Sequence, residues 1–398
     1  MTDQALIEHE ARYCAANYAP LPVVLTRGEG VYAWDNAGRR YLDMMSAYSA
    51  VSHGHCHPRL VGALIEQAQR LAIVSRAYHS DKLAAFVERA CVLTGMDCAL
   101  PMNSGAEAVE TALKAARKWS YKVKGVKADA AEIIACEGNF HGRTLGVIAL
   151  STEPQYREGF GPFMPGVRIV PFGNVDALQT AITPNTAAFI VEPIQGEAGI
   201  RIPPPGYLKA CAELCHKHRV LFIADEVQSG LGRTGKLIAC QHEDVKPDGL
   251  ILGKALGGGL LPVSMFLASR EVMDVFRPGD HGSTFGGNPL AAAVGLAALD
   301  TLVDEQLIER SAELGDYFLN RLRSIRSPLI RAVRGRGLWI GVDFDPAKIS
   351  GRAIAERLLV AGILSKETHS TVIRLAPPLT ITREQLDWAL AQFQTVLH

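Results

Sequence analysis

Short apolar runs alternate with longer amphipathic segments through the middle of the chain. The apolar runs are almost continuous rather than alternating, and they lie at 131–136, 168–172, 187–191, 220–224 and 249–252. Such runs predict strands buried on both faces, because an exposed face would place a polar residue at every second position. The segment 105–118, by contrast, has the apolar spacing of an amphipathic helix. We therefore predict an α/β fold with a mostly parallel sheet flanked by helices.

The two ends of the chain depart from this pattern. Pro20 and Pro22 oppose helix formation in the first 47 residues, which we expect to form an extended N-terminal segment. An Ala- and Leu-rich helical pattern begins near Pro289, and a second α+β region opens near Arg334 and ends in a helix at about 385–397. The expected organisation is an N-terminal segment, a large domain and a smaller C-terminal α+β domain, at 1–47, 48–305 and 306–398.

Composition narrows the class of protein. The chain has 398 residues, of which 48% are hydrophobic and 21% charged, as expected for a globular protein with a large core. Lys and Arg number 41, and so do Asp and Glu. The balance lacks the basic excess that phosphate neutralisation demands, so we expect no nucleic-acid partner. The first residues are acidic and no apolar run could span a bilayer, so we expect a cytoplasmic protein with no membrane partner.

The eight cysteines do not indicate a disulfide framework or a metal site. No CxxC pair occurs, and a chain this long does not need disulfides to fold. Cys211, Cys215 and His216 lie close together in the sequence, but a fourth ligand at the usual spacing is missing. The same residues fit a helix at 207–218, where cysteines are common core residues. We expect no metal.

A single lysine follows one of the predicted strands. In DGLILGKALGGG, residues 248–259, the strand leads into Gly253, then Lys254, then further glycines. The end of a buried parallel strand is the ligand-binding edge of an α/β sheet, and the glycines would let a bulky ligand approach the backbone. A desolvated Lys254 could form a Schiff base there. The alternative is a solvated lysine in a glycine-rich turn.

An aspartate ends another predicted strand. The run LFIADEVQ, residues 221–228, places Asp225 at its carboxyl end. Asp225 could be a metal ligand of a nucleotide site, or it could pair with a cationic nitrogen of a ligand. No GxxxxGK[ST] phosphate loop precedes it, which weakens the nucleotide interpretation. An aspartate against a pyridinium nitrogen is the expected companion of a lysine that binds pyridoxal phosphate.

A phosphate site is also available at a helix start. In PMNSGAE, residues 101–107, Ser104, Gly105 and Ala106 precede or open the amphipathic helix. The first backbone N–H groups of a helix have no intrahelical acceptor and bind anions well. An ordinary Ser or Asn N-cap would give the same sequence. The lysine, the aspartate and this helix start together are more specific than any one of them.

The chain resembles the class III pyridoxal-phosphate aminotransferases nearly from end to end. The motifs that carry the resemblance are NYAPLP (17–22), SAVSHGHCHP (49–58), GNFHGRT (138–144), VEPIQGEAG (191–199), ADEVQ (224–228), LGKAL (252–256), GSTFGGNP (282–289) and RLAPP (374–378). The first of these, together with SAYSAV (46–51), indicates the ornithine branch of the family. The resemblance implies pyridoxal-phosphate transferase fold type I and the cofactor pyridoxal 5'-phosphate. It also places His53, His55 and His57 in a structural loop rather than at a metal.

The resemblance implies a role for each matching position. Lys254 would form the Schiff base with the cofactor, and Asp225 would keep the pyridine nitrogen protonated. The other cofactor-binding residues would be Gly105 and Ala106 at the phosphate, Phe140 stacked on the ring, Gln228 near its phenolic oxygen, and Ser283 and Thr284 at the phosphate of a neighbouring subunit. We therefore expect a homodimer or a higher homo-oligomer. His141, which follows Phe140, is interpreted as a tolerated variation.

The same resemblance implies a substrate site. Arg143 would bind the α-carboxylate of ornithine beside Tyr18, Tyr48 would line the pocket, and Glu197 would pair with Arg374 when ornithine is bound. The expected reaction transfers the δ-amino group of L-ornithine to 2-oxoglutarate. Alternatives are a class III ω-aminotransferase with acetylornithine, 4-aminobutyrate or lysine as donor, or a non-catalytic binding module, for which Lys254 and Asp225 would have no use.

Overall fold

The computed structural model of the protein describes residues 2–397. In chain order the strands are β1 Leu25–Glu29, β2 Tyr32–Asp35, β3 Arg40–Asp43, β4 Cys98–Met102, β5 Glu132–Cys136, β6 Val167–Val170, β7 Thr186–Val191, β8 Leu221–Asp225, β9 Gly249–Leu252, β10 Ser264–Ala268, β11 Ile330–Gly335, β12 Ile340–Phe344, β13 Ile363–Leu364, β14 Lys366–Thr368 and β15 Val372–Leu375. The α-helices are Asp3–Tyr13, Pro58–Arg70, Leu83–Thr94, Gly105–Trp119, Pro154–Arg157, Val175–Ala181, Tyr207–Lys217, Arg270–Met273, Pro289–Asp304, Leu307–Ser324, Gly351–Val360 and Arg383–Thr395.

A seven-stranded sheet forms the centre of the molecule, in the order β4-β10-β9-β8-β7-β5-β6. All of its strands run parallel except β10, which is antiparallel to both of its neighbours. The five strands predicted from continuous apolar runs are β5 to β9, which confirms a mostly parallel sheet. Every residue of β7, β8 and β9 is buried, as expected where helices cover both faces.

The carboxyl ends of the central strands bring the candidate residues to one edge of the sheet. β8 ends at Asp225, and β9 ends two residues before Lys254. β7 is followed directly by Glu192, and β5 leads into the loop that carries Phe140. The helix Gly105–Trp119 begins after β4 and packs against the same sheet. The fold therefore collects residues from distant parts of the sequence at one place.

The N-terminal 47 residues are not an extended segment, so that prediction is wrong. They contain the helix Asp3–Tyr13 and strands β1 to β3. The helix buries none of its residues, so its sequence lacks the apolar periodicity that would predict a helix. The side chain of Thr2 caps the helix by accepting from the Ala5 N–H at 3.3 Å. The strands depend on a distant partner, because β3 pairs with β13 and Leu42 lies opposite Ile363.

The C-terminal part contains a second, four-stranded sheet in the order β11-β12-β15-β14, all antiparallel. The helix Pro289–Asp304 ends just before the boundary that we propose at residue 305. The fully buried guanidinium of Arg233 connects the two regions by donating to the carbonyls of Leu338, at 3.0 Å, and Pro377, at 2.6 Å. Within residues 2–397, no helix is long and apolar enough to cross a membrane.

Candidate active site

A cavity of about 180 Å³ opens at the carboxyl ends of the central strands. Six of the eight residues predicted to bind a cofactor line it: Gly105, Ala106, Phe140, Asp225, Gln228 and Lys254. The other lining residues are His141, Gly142, Glu192, Ile194, Val227 and Ser229. One small cavity therefore contains an amine, a carboxylate, an aromatic ring and the start of a helix.

Lys254 stands at the cavity in a strained backbone conformation. Its φ of 46° lies in the left-handed region, which costs a non-glycine residue about 1–3 kcal/mol and is typical of functional sites. Burial lowers the pKa of Lys254, although the carboxylates of Glu197, Asp225 and Glu192 oppose the shift. A lower pKa increases the fraction of neutral amine, which is the nucleophilic and basic form.

Asp225 is 5% exposed and its carboxylate is held on both oxygens. Oδ1 accepts from the Val227 N–H at 3.1 Å, and Oδ2 lies 2.7 Å from Nδ1 of the buried His141. Burial alone would lower the pKa of His141, but the hydrogen bond and the charge of Asp225 outweigh it and raise that pKa. His141 therefore donates to Asp225 through Nδ1–H and fixes the carboxylate at the cavity.

Glu192 is a second buried carboxylate that lines the cavity. Its oxygens accept from the backbone N–H groups of Phe140, at 2.8 Å, and Gly196, at 3.3 Å. Burial raises the pKa of Glu192 to about 7, and the neighbouring charge of Asp225 adds to the shift. The side chain ties the loop of Phe140 to the loop after β7, so it fixes the backbone from which the aromatic ring extends.

The helix start at Gly105 is free to receive an anion. Ser104 caps the helix by accepting from the Glu107 N–H at 3.2 Å, and the Glu107 carboxylate accepts from the Ser104 N–H at 2.7 Å. Neither bond uses the first helical N–H groups, those of Gly105 and Ala106, and both residues line the cavity. Gly142 approaches closely, since a Cβ there would lie 2.8 Å from that of Ala106.

Glu197 and Arg374 form an ion pair near the cavity. Arg374 comes from β15 of the second sheet, is 4% exposed, and donates from Nη1 to Glu197 Oε1 at 2.6 Å. Its Cζ lies 4.8 Å from the ring centroid of Tyr48, so the ring covers the cation. Burial raises the pKa of Tyr48, which keeps the phenol neutral. The structure thus brings together three of the predicted substrate-binding residues.

Tyr48 is presented by an unusual turn. Residues 46–49 all have positive φ, between 45° and 72°, a run that costs about 1–2 kcal/mol per residue. The run is supported at its start, where the Asp43 carboxylate accepts from the Met45 and Ser46 N–H groups, both at 2.8 Å. The Ser46 hydroxyl also donates to the Ala376 carbonyl at 2.7 Å, next to β15. This link places Tyr48 over Arg374.

The remaining predicted substrate residues, Tyr18 and Arg143, lie together at a second cavity. This cavity has a volume of about 570 Å³ and is lined by Asn17, Tyr18, Ala19, Arg143, Leu145, Ile148, Gln155, Tyr156 and Phe160. Tyr18 is 70% exposed. Arg143 directly follows Gly142, which lines the first cavity, so consecutive residues of one loop line the two cavities.

Ser283 and Thr284 do not line the cavity of their own chain. The Ser283 hydroxyl accepts from Asn103 Nδ2 at 2.8 Å and from the Gly286 N–H at 3.1 Å, while Thr284 is exposed. Their predicted contact with the cofactor of a neighbouring subunit stays a prediction.

Histidines with metal-like spacing have separate partners. The Nε2 atoms of His53, His55 and His57 lie at 3.0 Å from the Ala298 carbonyl, 2.8 Å from Asp43 Oδ2 and 3.1 Å from Glu305 Oε1. Among the residues that the structure describes, no group of three or more His, Cys, Asp or Glu side chains could hold a metal ion.

Sequence reasoning missed two residues at the first cavity. His141 is more than a tolerated variation after Phe140, because it is the hydrogen-bond partner of Asp225. The sequence analysis assigns no role to Glu192, although it follows the fully buried strand β7 just as Asp225 ends the fully buried strand β8. A carboxylate at the end of a buried parallel strand was the signal that could have identified Glu192. For His141 the local sequence has no comparable signal.

The family follows from this site and from comparison with known proteins. The model of the aminotransferase class-III family matches residues 13–397, so the chain belongs to that family. The ornithine aminotransferase of Geobacillus sp. (strain WCH70) is 58% identical over 391 residues, which cover 98% of each chain. The cavity with Lys254 and Asp225 is thus the candidate active site of a class III aminotransferase.

Solved structures agree on the fold. An ornithine aminotransferase from Toxoplasma gondii, crystallised with oxidised glutathione and reported with partial occupancy of PLP at its active site, matches with a TM-score of 0.98 and 44% identity. That match covers 100% of this chain and 94% of the other. The acetylornithine aminotransferase of Elizabethkingia anophelis matches with a TM-score of 0.91 and 49% identity, over 100% of this chain and 99% of the other.

Proposed function

We propose that the protein is an ornithine δ-aminotransferase that uses pyridoxal phosphate. It transfers the δ-amino group of L-ornithine to 2-oxoglutarate, which yields glutamate and glutamate 5-semialdehyde, and the semialdehyde cyclises to pyrroline-5-carboxylate. The observation that carries the proposal is the Glu197–Arg374 pair beside the Lys254 cavity, because a maskable arginine suits two substrates of opposite charge. The 58% identity to an ornithine aminotransferase supports the same substrate.

The residues at the first cavity fit pyridoxal phosphate. The N–H groups of Gly105 and Ala106 would bind its phosphate, Phe140 would cover its ring, and Asp225 would pair with its ring nitrogen. Nδ1 of the buried His141 contacts Asp225, whereas its Nε2 has no hydrogen-bond partner in the part of the chain that the structure describes. When bound, pyridoxal phosphate supplies an electron sink for the negative charge that develops on the substrate carbon.

Lys254 moves the proton in this scheme. With the cofactor bound, the neutral amine of Lys254, which burial favours, would take the proton from the substrate carbon that bears the reacting amine and would return it to the cofactor carbon that receives the amine. Asp225 would place a negative charge against the ring nitrogen, and an opposite charge within about 4–6 Å shifts a pKa by about one to three units. His141 holds that carboxylate in place from behind.

Glu197 and Arg374 adapt the site to both substrates. Ornithine brings an ammonium group toward the reacting centre, where an unmasked arginine would repel it, so the ion pair with Glu197 favours this donor. 2-Oxoglutarate brings a carboxylate, which competes with Glu197 for the guanidinium and can form two parallel hydrogen bonds. At the opposite end, Arg143 and Tyr18 would bind the α-carboxylate of ornithine.

A homodimer would complete the site. Ser283 and Thr284 lie outside the cavity of their own chain, with Thr284 exposed, and are therefore available to a cofactor phosphate of a second copy. Light scattering of the purified protein should give twice the monomer mass or a higher multiple. Thr284→Ala should weaken cofactor retention in a dimeric protein, and a monomer with full activity would contradict the proposal.

A donor panel tests the substrate. L-Ornithine, Nα-acetylornithine, 4-aminobutyrate and L-lysine are each supplied with 2-oxoglutarate, and glutamate and pyrroline-5-carboxylate are measured. We expect ornithine to have the highest kcat/KM and to yield pyrroline-5-carboxylate. The 49% identity to an acetylornithine aminotransferase makes Nα-acetylornithine the second candidate, and a higher kcat/KM for it would replace our proposal. Borohydride reduction should attach the cofactor covalently to Lys254.

A further inference from the structure

The guanidinium of Arg143 lies over the ring of Tyr156. Its Cζ is 4.5 Å from the Tyr156 ring centroid and 5.7 Å from that of Phe140. Both distances fall within the range in which an aromatic ring attracts a cation, and the Tyr156 contact is the closer. Tyr156 comes from the short helix Pro154–Arg157, and no role was predicted for it.

This ring contact leaves the donors of Arg143 unused. Across residues 2–397 the structure shows no hydrogen bond or ion pair of the Arg143 side chain, which is exposed toward the second cavity. A carboxylate partner would hold the guanidinium through the same N–H groups that a substrate needs. An aromatic ring holds it through its face and keeps the whole fork available for a bidentate contact.

Hydrogen bonds fix the backbone around Tyr156. Its N–H donates to the Glu153 carbonyl at 3.1 Å, and the neighbouring Arg157 donates from Nη1 to the carbonyls of Ile148, Ala149 and Ser151, each at 3.1 Å. Tyr156 also meets Phe140 edge to face, with centroids 5.8 Å apart. One ring thus contacts both the arginine of the substrate site and the aromatic residue of the cofactor site.

We propose that Tyr156 is a positioning residue for the α-carboxylate of the donor: its ring orients Arg143 while leaving the guanidinium free to bind that carboxylate. The inference rests on the proposed function, because it assigns the carboxylate site to Arg143. The proposed role of Tyr156 concerns the carboxylate alone. A donor without a carboxylate does not use Arg143, so its kcat/KM should not depend on how Tyr156 orients that arginine. The pair also lines the second cavity with Tyr18, where the amino-acid end of ornithine would lie.

The test compares two donors and two variants. 1,4-Diaminobutane is ornithine without its carboxylate. In Tyr156→Leu, kcat/KM for ornithine should fall about 10-fold, mainly through KM, and kcat/KM for 1,4-diaminobutane should change less than about twofold. Tyr156→Phe keeps the ring and loses only the hydroxyl, so it should retain the parental ratio of the two donors. If kcat/KM fell equally for both donors in Tyr156→Leu, the proposal would be overturned. A parental kcat/KM for ornithine in this variant would overturn it as well.

A binding measurement separates this inference from the proposed reaction. L-2-Hydroxyvalerate has the carboxylate and the chain length of ornithine but no amine that could react, and calorimetry gives its Kd for the holoenzyme. We expect the Kd to rise about 10-fold in Tyr156→Leu, to stay parental in Tyr156→Phe, and to rise at least as much in Arg143→Ala. A protein that fails to use ornithine would contradict the proposed function. An unchanged Kd in Tyr156→Leu would contradict the role of Tyr156, whatever the donor.

Discussion

Arg374 donates from Nη1 to Oε1 of Glu197 at 2.6 Å, and the two residues lie 177 positions apart in the sequence. The arginine is buried, whereas the Glu197 side chain retains 22% exposure. The acidic partner is therefore the one that can leave the pair and enter solvent at lower cost. The pair joins the loop after β7 to strand β15 of the second sheet near the candidate active site.

Removal of the acidic partner should change which donor the enzyme prefers. In Glu197→Ala, Arg374 stays unmasked, so glutamate can place its α-carboxylate there, while ornithine meets a cation beside its reacting amine. We expect the ratio of glutamate to ornithine half-reaction rates to rise ~10-fold or more, which corresponds to ~1.4 kcal/mol of lost masking. Stopped-flow absorbance with each donor alone measures both rates. An unchanged ratio would mean that Glu197 does not control Arg374.

Loss of the active-site amine should abolish turnover without unfolding the protein. Lys254→Ala removes both the covalent anchor and the proton-transfer group, so we expect kcat to fall at least ~10³-fold. The control is Lys246→Ala, which removes an exposed lysine before β9 and should keep parental kcat. Steady-state assays with ornithine and circular dichroism of both variants test this. Near-parental turnover of Lys254→Ala would refute the assignment.

A neutral replacement of the buried aspartate should slow chemistry more than it harms folding. In Asp225→Asn, the side-chain oxygen can still accept from His141, but the new amide nitrogen cannot accept from the Val227 N–H as Oδ1 of Asp225 does. The negative charge at the ring nitrogen is lost as well, and one to three pKa units of stabilisation correspond to a single-turnover rate about 10- to 1000-fold lower. Cofactor absorbance should show that the variant still binds pyridoxal phosphate. A parental single-turnover rate would contradict the pairing with the ring nitrogen.

A pH-dependent effect on stability is expected at Glu192. The pKa of this carboxyl is about 7 in the folded protein and 4.5 when unperturbed, so ionisation destabilises the folded state as pH rises from 4.5 to 7. Above pH 7 the cost is complete and amounts to at most about 3 kcal/mol. Glu192→Gln stays neutral, so its urea midpoint should exceed that of the parent at pH 8, and the gain should shrink toward pH 5.

The comparison variant for this effect is Glu88→Gln, an exposed position on the helix Leu83–Thr94. Its urea midpoint should differ little from that of the parent at both pH values, because an exposed carboxylate pays no desolvation penalty. If Glu192→Gln were less stable than the parent at pH 8, the two backbone hydrogen bonds of Glu192 would matter more than its charge.

Prediction from the sequence succeeded for the central sheet and failed at the N-terminus. Strand β9 matches the predicted run 249–252 residue for residue, because an apolar run between turn residues is a local signal. The strands β1 to β3 were missed because they depend on β13, more than 300 residues away. The helix Asp3–Tyr13 was missed because it buries nothing. A local sequence pattern therefore predicts an element whose burial it reflects, but it does not predict an element that depends on a distant partner.

The sequence by itself determined the α/β class, the position of Lys254 and Asp225 at strand ends, and the residues that match the family motifs. Tertiary structure alone decided that His141 holds Asp225, that residues 46–49 turn left-handed to place Tyr48 over Arg374, and that Tyr156 supports Arg143. The physical reason is distance along the chain. A hydrophobic periodicity involves residues that are close in the sequence. A hydrogen bond, a ring contact or a burial-shifted pKa depends on groups that only folding brings together.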